Sequence, residues 1–100
     1  MRLIRSESSE EKSVVAWAKA NDLLAVKLFR VTGLPDRVFL GRRGRLVFVE
    51  MKRSKAGVVS RMQTYIHGLL RERGFIVLVC HGAAEAKAAL ADWIAEAPWS

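Results

Sequence analysis

One hundred residues, 51% of them hydrophobic and 27% charged, suit a single folded domain over 1–100 with a compact core, and exclude a disordered tail. The longest apolar runs, such as Phe75 to Cys80, fall far short of the roughly 20 residues that cross a bilayer, so no membrane span is expected. The net charge of +7 is concentrated: Lys27 to Arg73 carries twelve Lys/Arg against three acids (12 − 3 = +9), and the remainder five against seven (5 − 7 = −2). Such a segment attracts a polyanion, with nucleic acid foremost and an anionic membrane second. The start, Met1 to Glu7, lacks the apolar stretch of a secretory signal, and the lone Cys80 permits no internal disulfide; both favour a cytoplasmic location.

In chain order, Ser6 to Ala20 reads as a helix: serines 6, 8 and 9 offer caps, Glu7, Glu10 and Glu11 suit its N-terminal end, and Val14, Val15 and Ala18 form an apolar face. Asn21-Asp22 breaks it. Leu24 to Phe29 alternates loosely as a first strand and ends at the turn Val31 to Pro35. Asp36 to Leu40 and Arg45 to Met51 are β-rich runs joined by Gly41-Arg42-Arg43-Gly44, the mark of a hairpin. A polar connection, Arg53 to Gly57, leads into a helix from about Ser60 to Arg73, with Met62, Ile66, Leu69 and Leu70 at helical spacing and Gly74 placed to end it. Phe75 to Cys80 reads as a buried strand, and Ala83 to Ala95 as a last helix before Pro98. The order is αβββαβα, an α/β fold with a mixed central sheet flanked by helices.

The chemistry lies where this order meets the acids of the basic segment. Glu50 and Lys52 are two apart on a strand, so their side chains share a face. A carboxylate and an ammonium at the end of an apolar strand are costly to desolvate unless they pair or meet a ligand; a strand running out into solvent with a surface ion pair is the plainer reading. Asp36 follows Pro35, which stiffens the approach, and Gly33, which admits a tight or left-handed turn. Antiparallel pairing through the hairpin brings the start of Asp36–Leu40 beside the end of Arg45–Met51, so Asp36 and Glu50 are expected to meet at one end of the sheet. Two carboxylates, water and a phosphate oxygen form the hard-oxygen set that Mg²⁺ or Mn²⁺ prefers.

Gly33-Leu34-Pro35-Asp36, followed after thirteen residues by Glu50-Met51-Lys52, resembles the PD-(D/E)xK signature of restriction-endonuclease-like nucleases. More narrowly, Gly-x-Pro-Asp, then Val-Phe-Val-Glu-x-Lys, then a helix carrying Gln63 and the Gly74-Phe75 strand resemble the virus-type replication-repair nuclease (VRR-NUC) domain, over about Glu7 to Val79. The resemblance implies the αβββαβ core of that superfamily with an added C-terminal helix. It implies that Asp36, Glu50 and the Met51 carbonyl hold Mg²⁺ or Mn²⁺, and that an acid on the first helix contributes a direct or water-mediated ligand. Glu11 best matches that position; Glu7 is next and Glu10 third. Lys52 then positions a water or neutralises charge on the phosphate, and Gln63 orients Lys52 or the phosphate. It further implies a DNA endonuclease acting on branched substrates such as four-way (Holliday) junctions or flaps, in phage or bacterial replication and repair, and working as a homodimer.

The cluster Arg42, Arg43, Arg45, with Arg53, Lys55 and Arg61, suits contacts with the sugar-phosphate backbone on either side of a cleavage point. Phe29, Phe39, Phe48 and Phe75 occupy core-like strand positions, which leaves little for base reading. His67 and His81 lack partners at ligand spacing and read as structural, as do Cys80, Trp17 and Trp93; Trp99 could stack on bases only with little support. The rival function is a non-catalytic basic module that binds nucleic acid with the same fold. Two acids inside the most basic segment repel phosphate and make sense beside a cation, which favours the enzyme.

Overall fold

The structure is a computed structural model, and it describes residues 9–29, 32–52 and 57–96. Seven elements follow in the expected order: α1 (Ser9–Ala20), β1 (Leu24–Lys27), β2 (Arg37–Leu40), β3 (Leu46–Lys52), α2 (Arg61–Glu72), β4 (Val77–His81) and α3 (Ala83–Glu96). The strands form one mixed sheet in the order β1-β2-β3-β4. β1/β2 and β2/β3 are antiparallel, whereas β3 and β4, joined through α2, are parallel. Among the described residues no helix is long and apolar enough to cross a membrane.

The two-residue period of the strands sorts the sheet into two faces. Phe39, Val47 and Val49 point to one side and are fully buried with Val14 and Ala18 of α1, Cys80 of β4, and Ala86, Leu90 and Trp93 of α3. Glu10 joins the two helices on this layer: its Oε1 accepts from the Ala83 N–H at 2.8 Å, capping α3 from α1. Burial pushes the Cys80 thiol up to about 11, which leaves it an inert core residue. The alternate residues, Phe48, Glu50 and Lys52, belong to the opposite face, where Gln63 and His67 of α2 meet Glu50. That second face is the one that buries Glu50 and His67.

Boundaries differ from the expected ones where turns compete with strands. β1 stops at Lys27, and although the Leu28 N–H still bonds the Asp36 carbonyl at 2.9 Å, Phe29 is exposed and lies beneath the Lys27 ammonium at 5.7 Å. It is therefore not a core residue. Gly74 takes φ +89 after the Arg73 C-cap, and the Phe75 N–H returns to the Leu70 carbonyl at 3.1 Å. That turn holds Phe75 and Ile76 outside β4, partly exposed, with Phe75 packed edge-on against Phe48 at 5.8 Å between ring centres.

Candidate active site

The β2/β3 register pairs Arg37 with Val49 and Val38 with Phe48, so one step further back Asp36 stands across from Glu50. The Met51 N–H donates to Asp36 Oδ2 at 2.8 Å and pins that carboxylate to the end of β3. Glu50 is only 2% exposed. Burial and the neighbouring Asp36 charge push its carboxyl above the ordinary range, against the opposing pull of Lys52 and Gln63. On its own face, Lys52 Nζ lies 3.4 Å from Glu50 Oε2.

Gln63 ties this strand end to α2 with every polar atom of its amide. Nε2 donates to Glu50 Oε2 at 2.8 Å, while Oε1 accepts from Lys52 Nζ at 3.1 Å and from the Ser60 N–H at 2.9 Å. The Ser60 hydroxyl in turn accepts from the Gln63 N–H at 3.1 Å, completing a capping box at the start of α2. One residue thus closes the helix end and orients both Glu50 and Lys52. The Ser-x-x-Gln spacing was a visible sign of this second duty, which the sequence reading above does not assign.

His67, read above as structural, also belongs here. It lies one helical turn beyond Gln63, is 1% exposed, and places Nε2 4.0 Å from Glu50 Oε1. Neither of those two atoms has a hydrogen-bond partner. Burial holds the imidazole below its ordinary pKa, so it is neutral at pH 7.

The loop before Asp36 is held by contact with the same helix. Pro35 is fully buried. Gly33 takes φ +92, and a Cβ built there would stand 2.7 Å from side-chain atoms of Met62 and Ile66 and 2.9 Å from the Met62 carbonyl oxygen. A Gly33→Ala change combines left-handed strain of about 1–2 kcal/mol with overpacking of about 1–3 kcal/mol. We expect it to lower the melting temperature by roughly 10 °C or more, as thermal unfolding would show.

Other expected site residues are placed elsewhere. The four residues of β2 separate Asp36 from Gly41 by five steps of about 3.3 Å, so the hairpin lies about 16 Å from the carboxylates, at the opposite end of the sheet. Arg42 there is bidentate to the exposed Asp22 at 2.8 and 3.0 Å, and the Arg45 guanidinium covers the Trp93 ring at 5.0 Å. Arg43, exposed at φ +60, shapes the turn. The three arginines are therefore not gathered beside the carboxylates. Arg37 is buried and Arg71 bonds the Val77 carbonyl at 2.7 Å, so the basic count overstates the free positive surface. Arg61 is exposed in the first turn of α2, two residues from Gln63. Glu11 is half-buried on α1 but is not gathered with Asp36 and Glu50, since no group of three or more His, Cys, Asp or Glu side chains forms a metal cage among the described residues. Glu7, Arg53 and Lys55 lie outside the described residues.

A carboxylate pair with a lysine beside it stands at the end of a strand in a mixed sheet between helix layers, a set of groups suited to a hard cation and a phosphate. The chain is similar to solved structures, among them the following two. One, named "VRR_NUC domain", superposes with a TM-score of 0.68 at 26% identity over 83% of this chain and 96% of that one. The other, named "VRR_NUC domain protein", has a TM-score of 0.68 at 14% identity, covering 91% and 92%. No family sequence model and no curated protein matches the chain. The chain thus has the fold of these VRR-NUC domain structures, and its similarity to them points to a nuclease-type member.

Proposed function

We propose that this chain is a divalent-cation-dependent, structure-selective DNA endonuclease that hydrolyses phosphodiester bonds in branched DNA, such as four-way junctions or flaps. The observation that carries this reading is the joining of Glu50, Lys52 and Gln63 by hydrogen bonds and an ion pair at one end of the sheet, with Asp36 held beside them by the Met51 N–H. The donor set fits a hard cation: two adjacent carboxylates at the end of β3, whose like charges favour a positive ion between them. Asp36, Glu50 and the Met51 carbonyl would hold Mg²⁺ or Mn²⁺, with water and phosphate completing the shell. Such an ion polarises a phosphoryl oxygen and lowers the pKa of bound water.

The chain's own residues do the rest. Lys52 carries the ammonium that faces the phosphate and offsets its growing charge. Gln63 fixes where that ammonium sits, because its Oε1 holds Nζ while its Nε2 holds Glu50. Arg61 and the basic residues Arg53 and Lys55 are the sugar-phosphate contacts nearest in sequence to the site, whereas the hairpin arginines serve a more distant stretch of backbone. With no element shaped to read base edges among those described, recognition by DNA shape follows. A symmetric homodimer would present the two sites that a four-way junction needs. The setting is replication and repair in the cytoplasm of a bacterium or a phage-infected cell.

Purified protein incubated with labelled four-way junction, flap and plain duplex tests this. Cleavage of the branched substrates in Mg²⁺ or Mn²⁺, and none in EDTA, is expected, with a dimeric mass in solution. Binding without metal-dependent cleavage of any substrate would leave a non-catalytic nucleic-acid module instead.

A further inference from the structure

Glu50 is addressed by α2 at both of its oxygens. Oε2 receives Gln63 Nε2 at 2.8 Å and faces Lys52 Nζ at 3.4 Å. Oε1 faces His67 Nε2 at 4.0 Å, and both of those atoms are buried and lack hydrogen bonds. The gap is about 1 Å longer than a hydrogen bond. Gln63 and His67 are four apart on one helix, so a single helix face reaches the two sides of one carboxylate. The terminal torsion of a glutamate is broad, and a donor at one oxygen alone leaves it free to swing. A donor at the second oxygen removes that freedom. An imidazole that is 1% exposed is also costly to bury unless its polar atoms are matched, and the atom opposite its Nε2 is an unmatched acceptor.

We propose that His67 is a positioning residue that donates its Nε2–H to Glu50 Oε1 and, with Gln63 on the other oxygen, fixes the plane of the Glu50 carboxylate for its cation. The inference rests on the reading of Asp36 and Glu50 as cation ligands. His67 touches neither DNA nor the reacting atoms; it acts through Glu50. A histidine that merely fills the core would be indifferent to which side chain stands at position 50.

Two measurements test it. Long-range ¹H–¹⁵N spectra of the metal-free protein should show His67 protonated on Nε2, with an Nε2 shift that moves in Glu50→Gln. A proton on Nδ1 with a bare Nε2, or a resonance unmoved by Glu50→Gln, would overturn the proposal. Calorimetric titration with Mn²⁺ alone should show binding weakened by about 10- to 100-fold in His67→Leu and largely restored in His67→Gln, whose amide N–H replaces the donor. Equal affinity in His67→Leu and wild type, or no recovery in His67→Gln, would equally overturn it. Should wild type bind no Mn²⁺, the cation reading itself falls, and the spectra alone then decide whether His67 serves Glu50.

Discussion

Glu50→Gln is expected to abolish cleavage while leaving the metal-free protein at least as stable as wild type. The side chain is nearly fully buried, and its carboxyl is pushed upward by burial and by Asp36. Without a cation, an ionised Glu50 therefore opposes folding. The sign follows from proton linkage. Because the folded pKa is raised, the folded chain retains a proton that the unfolded chain releases, so stability is greatest below the ordinary carboxylate pKa and declines as pH rises through the folded value. Gln keeps the shape, still offers an oxygen to Gln63 Nε2, and removes that decline. Activity goes the other way: cation catalysis supplies several kcal/mol of transition-state stabilisation, and at 1.36 kcal/mol per tenfold its loss lowers the rate by about 10³-fold or more. Melting curves from pH 4 to pH 8 without metal, set beside cleavage rates in Mn²⁺, check both halves. A variant that cuts at the wild-type rate would remove Glu50 from the site.

Lys52→Ala should lower cleavage by about 10²- to 10³-fold, the range for loss of one charge-stabilising donor, while binding of branched DNA changes little. Lys52→Arg should not restore it. The Lys52 ammonium occupies a narrow position between Gln63 Oε1 at 3.1 Å and Glu50 Oε2 at 3.4 Å, and a planar guanidinium with a fork of donors does not reproduce a point charge there. Single-turnover rates at saturating protein separate the chemical step from binding. A normal rate in Lys52→Ala would show that Lys52 only shields Glu50.

Much of this arrangement was legible in the sequence, because it depends on periods that elements obey. Alternation put Glu50 and Lys52 on one face, and hairpin pairing carried Asp36 to Glu50; the register confirms that step. The same counting puts Arg42, Arg43 and Arg45 at the far end of the sheet, whereas the charge pattern alone groups them with the acids. Charge composition also hid the cations that serve the fold, Arg37 inside and Arg45 on Trp93. His67 escaped for another reason: one histidine on an amphipathic helix has no signature until its distance from a named carboxylate is known. On α1, Glu10 took a structural role at the start of α3 although three glutamates look alike in sequence. Tertiary packing, which local pattern does not encode, chose among them.

Gln63 has a consequence beyond geometry. The Gln63 side chain that closes the first turn of α2 is also the one that holds Glu50 and Lys52, so fraying of that helix end would loosen both. Helix termini open locally far more often than whole domains unfold. Opening of that single turn would therefore release both Glu50 and Lys52 with the sheet and the α1/α3 core left standing.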